Sequence, residues 1–116
     1  MPQVFLHLDI RGAKGSGVGV LVLDEEKGII VGADSGGLHY DGTVRRESGE
    51  VKAQVDVKLP SGATTLASGV TVKGPFPFPL AFSIPADDFT MSIRRVQLPS
   101  GLGTVAVQLR PIRVVE

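Results

Sequence analysis

The sequence predicts an all-β protein of about eight short antiparallel strands, a count that suits a small barrel or a sandwich. Three observations carry this. Apolar residues alternate with polar ones over short runs that glycine interrupts. No stretch shows a helical period. Glycine contributes 15 residues and proline 8 of the 116, as many tight turns require. The length suits one domain, residues 1–116, with one core.

The first strand is read from Val4, Leu6, Leu8 and Ile10, which alternate with Phe5, His7, Asp9 and Arg11. GAKGSGVG at 12–19 resembles a phosphate loop only superficially. It lacks the Gly-Lys-Ser/Thr ending and a following helix, so it is read as a flexible hairpin connection. VGVLVL at 18–23 is apolar on both faces, as in a covered strand. Asp24-Glu25-Glu26-Lys27-Gly28 then makes a polar hairpin turn into Ile29, Ile30 and Val31.

RRESGE at 45–50 turns the chain before the clearest strand, 50–59. There Val51, Ala53, Val55, Val57 and Leu59 face inward, and Lys52, Gln54, Asp56 and Lys58 face water. Later strands are placed near 66–73, 80–84, 89–98 and 103–115. A bulge near Arg94-Arg95 reconciles Phe89, Met91 and Ile93 with Val96 and Leu98, which keep the opposite phase. One arginine of each adjacent pair, Arg45-Arg46 and Arg94-Arg95, is expected to face inward as a buried, paired charge unless a bulge turns it out.

PFPFP at 75–79 sets Phe76, Phe78, Leu80, Phe82 and Ile84 on one face and three prolines at the alternate positions. Amides of alternate strand residues point to the same side, so Pro75, Pro77 and Pro79 remove the donors from one edge only. The segment is predicted to be an edge strand or an extended arm. Phe76, Phe78, Leu80 and Phe82 are the candidates to line a cavity or an interface.

Composition excludes several functions. The 12 basic and 12 acidic side chains cancel, so there is no basic field for nucleic acid or for a charged membrane. The chain has no cysteine, which removes disulfides and thiol chemistry. MPQVFLHLDIRG has no basic stretch followed by a long apolar one, so no signal peptide is read and a cytoplasmic location is expected. His7 and His39, the only histidines, define no metal site. No cofactor is expected.

Asp34-Ser35-Gly36 has the form of the catalytic loop of an aspartic protease. A dimeric protease of the retroviral type would be about this length and would share a proton between two such aspartates. Gly32-Ala33 intervenes before Asp34, however, and no apolar-apolar-Gly motif follows near the C-terminus. A triad of Ser35, His39 and Asp34 or Asp41 is disfavoured because neighbours on one strand point to alternate faces. The preferred reading is a glycine-bent strand in which Asp34 and Ser35 accept hydrogen bonds from nearby backbone. No catalytic residue is assigned.

Residues 17–44, GVGVLVLDEEKGIIVGADSGGLHYDGTV, carry Gly17, Gly19, Gly28, Gly32, Asp34, Gly36, Tyr40 and Gly42 in a pattern of Gly-x-Gly-x-apolar, a turn with Gly, apolar-x-Gly-x-Asp-x-Gly, then Tyr-x-Gly. This order resembles the bacterial GrlR-type negative regulators of type III secretion and their relatives, over the first half of the chain. The resemblance implies a lipocalin-like β-barrel, a homodimer, an apolar cavity, and work done by binding rather than catalysis. In the family's regulator an acidic run binds a transcriptional activator. That run is missing here, and Asp24, Glu25, Glu26, Asp87 and Asp88 are the candidate partner contacts in its place. The expectations, in order, are a partner-binding regulator, an apolar small-molecule carrier, and the protease.

Overall fold

The structure, a computed structural model, describes the backbone of residues 3–85, 91–98 and 101–115, and the side chains of 3–83, 97–98 and 101–113. Among the described residues, ten strands follow in chain order: β1 (Gln3–Gly12), β2 (Gly15–Asp24), β3 (Ile29–Asp34), β4 (His39–Glu47), β5 (Glu50–Leu59), β6 (Ala63–Thr65), β7 (Thr71–Lys73), β8 (Phe76–Pro85), β9 (Met91–Gln97) and β10 (Thr104–Val115). The fold is all-β.

Eight strands form one antiparallel sheet in the order β8-β5-β4-β3-β2-β1-β10-β9, and β6 pairs only with β7. With that hairpin set aside, the chain visits neighbours in turn, and β10 returns to pair with β1. This is the circular order of an up-and-down barrel, with one seam left. No ladder joins β8 to β9 among the described residues.

The prolines explain why the seam falls there. β8 pairs with β5 from Glu50↔Pro85 to Leu59↔Phe76. The amides of Phe76, Phe78, Leu80 and Phe82 share one side and serve that ladder. Pro77 and Pro79 sit on the other phase, so the outer edge lacks donors where β9 would have to join. The edge position predicted from PFPFP is the observed one.

Alternation decides which faces are buried. Val4, Leu6 and Leu8 of β1 and all five inward residues of β5 are buried, and Leu21, Leu23, Ile30, Tyr40, Val44, Phe78, Val105 and Leu109 are among the others in the interior. The inward phase also contains glycines where strands bend hard. A Cβ at Gly42 would overlap the Gln54 carbonyl oxygen on β5, and one at Gly32 would overlap the Val20 carbonyl oxygen on β2. Bare backbone at these places lets the sheet curl tightly enough to enclose a core.

Several boundaries differ from the sequence reading. GAKGSGVG is mostly strand, with only Ala13-Lys14 turning between Gly12 and Gly15. RRESGE is strand up to Glu47, and the turn is Ser48-Gly49. The predicted strand 66–73 is instead a turn and β7. The Leu66 amide donates to Val70 O at 2.8 Å and the Gly69 amide to Leu66 O at 2.8 Å. Gly69 has φ +96°, which ends any extended run there. VGVLVL is not covered on both sides: Val18 is 51% exposed and Val20 42%.

The Arg45-Arg46 expectation is also corrected. Both side chains are exposed, and Arg46 reaches outward from the strand end to Glu25 at 2.9 Å. Inward phase does not impose burial at the open end of a barrel. The bulge on β9 falls between Met91 and Arg94, where three steps on β9 match two on β10. The side chains of Arg94 and Arg95 lie outside the described residues, as does the region of Asp87 and Asp88.

Candidate functional site

The connections β1–β2, β3–β4, β9–β10 and the long link from β5 to β8 share one end of the barrel. The β6–β7 hairpin lies across that end. The Lys14 amide donates to Ala67 O at 3.1 Å, and Ser68 Oγ donates to Leu102 O at 2.5 Å. Leu66 and Val72 of the hairpin are themselves buried. Gly12 permits this seating, since a Cβ there would overlap the Ala67 carbonyl oxygen.

Asp34 ends β3 at the same end, and its carboxylate organises the next turn. Oδ1 accepts from the Gly36 amide at 2.9 Å and the Leu38 amide at 3.1 Å. Oδ2 accepts from Tyr40 Oη at 2.5 Å. The Asp34 amide donates to Leu38 O at 3.0 Å. Ser35 ties the turn sideways: its amide donates to Val18 O at 2.7 Å, and its Oγ accepts from the Val18 amide at 3.1 Å. The expected backbone role of Asp34 and Ser35 is observed.

Tyr40 points inward from β4. Burial of its hydroxyl, with the Asp34 charge beside it and the hydrogen bond to that carboxylate, pushes its ionisation well above the ordinary tyrosine range. The pairing escaped sequence reading because it depends on register. Asp34 and Tyr40 are six residues apart on opposite sides of a turn whose length the sequence leaves open.

Beneath the hairpin lies a cavity of about 540 Å³. Leu8, Leu21, Val57, Phe78, Leu80 and Leu109 are among its walls, and Asp34, Ser35, Thr64 and Gln97 bring polar atoms to it. Phe78, Leu80 and Phe82, three of the four residues named from the PFPFP segment, line it. Phe76 packs against the core beside Phe78, their ring centroids 6.2 Å apart. The volume is that of a drug-sized ligand pocket.

The acidic candidates near residue 24 are built into the fold. Asp24 is buried at 6% exposure. It accepts from the Lys27 amide at 3.0 Å and from Gln3 Nε2 at 3.3 Å. The Lys27 amide, the largest influence, holds its carboxyl below the ordinary carboxylate range. Asp24 is therefore not a surface acid, and Glu25 is already paired with Arg46. Glu26 is exposed on the same turn.

His39 is exposed, opposite Ala33 and Lys58 on the outer phase. His7 lies beside Arg110, Nδ1 to Nη2 3.3 Å. Among the described residues, no group of three or more His, Cys, Asp or Glu stands close enough to hold a metal ion. Among the described residues, no helix is long and apolar enough to cross a membrane. The chain matches no protein-family model, no curated protein and no solved structure.

Proposed function

We propose that this protein is a non-catalytic binding protein whose barrel holds an apolar small molecule. The carrying observation is the cavity of about 540 Å³. Its walls come from β1, β2, β4, β5, β8 and β10, with a hairpin across one end. The Asp34 carboxylate already receives three donors, which supports a structural and ligand-facing role over that of a protease dyad. A neutral fluorescent probe such as N-phenylnaphthylamine tests this reading. Saturable one-to-one binding, lost when Leu80→Trp fills the cavity, is the expected result. Uptake that does not saturate, or that Leu80→Trp leaves unchanged, contradicts it.

A second reading, a homodimer that binds a partner protein, draws support from the outer face of β2 and β3. Val18, Val20, Ile29 and Val31 are each 40% exposed or more. They lie on adjoining strands, with Val22 opposite Val31. Exposed apolar groups in one patch suit a protein contact. Sedimentation equilibrium of the wild type and of Val20→Lys/Val31→Glu tests it: a dimer dissociated by the double variant supports this reading, and a wild-type monomer opposes it.

A further inference from the structure

We propose that the cavity selects an amphiphile with a protonated amine head, bound at Asp34, over one with a carboxylate head. This rests on the reading that the barrel holds an apolar molecule, and adds the chemistry of its polar end.

The argument starts from the hydrogen-bonding capacity of one side chain. A carboxylate offers about four acceptor positions. The Gly36 and Leu38 amides take two on Oδ1, and Tyr40 Oη takes one on Oδ2. One position is left on Oδ2, on a side chain that lines the cavity. The three donors also hold the carboxylate in place, so a ligand binds it without first ordering it.

The charge around it points the same way. Asp34 is the charged member of the described cavity lining, which contains no Lys, Arg or His. A fatty carboxylate there meets a like charge in apolar surroundings. An ammonium gains a charge-assisted hydrogen bond, stronger than one between neutral groups. Ser35 and Thr64 add neutral hydroxyls to the same lining, with Thr64 Oγ1 and Asp34 Oδ1 both close to Gly36, suited to the ammonium's other two protons. The chain then runs down between Leu8, Leu21, Val57 and Leu109.

The test compares dodecylamine, dodecanol and dodecanoate at neutral pH, below their micelle concentrations. Displacement of the neutral naphthylamine probe is the readout. Dodecylamine is expected to bind on the order of tenfold or more tighter than dodecanoate, the scale of a hydrogen bond to a charged group. Asp34→Asn, which keeps an acceptor for the Gly36 and Leu38 amides, should bring the two affinities together. Thr64→Lys, which places a cation beside Asp34, should reverse the order.

Dodecanoate binding as tightly as dodecylamine, or more tightly, overturns the assignment while leaving the apolar cavity standing. The register sets Arg94 opposite Val107 of the lining, so Arg94→Gln would then show whether that arginine captures the carboxylate. An amine preference that survives both Asp34→Asn and Thr64→Lys also overturns it. Binding of none of the three probes overturns the underlying reading of the barrel itself.

Discussion

Tyr40 Oη donates to Asp34 Oδ2 at 2.5 Å across the β3–β4 turn, and this bond joins the barrel wall to the mouth of its cavity. Tyr40 is buried on β4, while Asp34 closes β3 and holds two amides of the following turn. Tyr40→Phe removes a hydrogen bond to a charged group. It should lower stability by about 1.5–3 kcal/mol, read from urea unfolding at neutral pH. A loss near zero would show that the bond is incidental to the fold.

The same tyrosine predicts an alkaline dependence. Its ionisation is pushed up in the folded state, while in the unfolded chain it ionises near the ordinary value of 10.0. Stability should therefore be fully present below about pH 10. It should fall as pH rises beyond that, because unfolding then releases a proton that folding retains. Tyr40→Phe should flatten this limb relative to wild type. An equal alkaline slope in the two proteins would contradict the assignment.

Asp24 predicts the opposite limb. Its carboxyl is held below the value of 3.8 that it has in the absence of partners, chiefly by the Lys27 amide. The stability it contributes is present above that value and disappears as pH falls through the folded-state one. Asp24→Asn should reduce the acid sensitivity of unfolding as pH falls below about 4. Unchanged acid sensitivity would mean that the turn does not depend on the charge.

Gly12→Ala should displace the hairpin, because the added Cβ overlaps the Ala67 carbonyl oxygen. The expected cost is about 1–3 kcal/mol, the usual range for overpacking. Amide exchange should quicken at residues 63–73 more than in β5. Uniform acceleration, or none, would show that the hairpin is not separately seated.

Pro77→Ala together with Pro79→Ala restores two donors to the outer edge of β8. Exposed edges with free donors pair with other chains. The double variant should self-associate at concentrations where wild type does not, as followed by light scattering. Unchanged scattering would indicate that the prolines are not what protects this edge.

Much of the sheet was legible because alternation survives wherever one face is buried and the other wet. β1 and β5 show this residue by residue. VGVLVL in β2 was misread because an apolar outer face has the same pattern whether it is covered or exposed. The hairpin at 63–73 was missed because Leu66 and Val72 imitate a continuous strand, and only the turn at Ser68-Gly69 separates them. Asp34 was legible as a turn residue from its flanking glycines. Its bond to Tyr40 was not, since it depends on the length of the β3–β4 turn. The acidic run at 24–26 has the composition of a solvated turn, yet Asp24 is turned inward to cap it.

The most direct test of the binding account uses a spectroscopic accident of composition. Tyr40 is the chain's one tyrosine, and tryptophan is absent, so tyrosine emission reports from the cavity wall alone. Titration with N-phenylnaphthylamine under tyrosine excitation should quench Tyr40 and raise dye emission together, saturating at one dye per chain. Dye that binds without energy transfer from Tyr40, or fails to saturate, would contradict a ligand site inside the barrel.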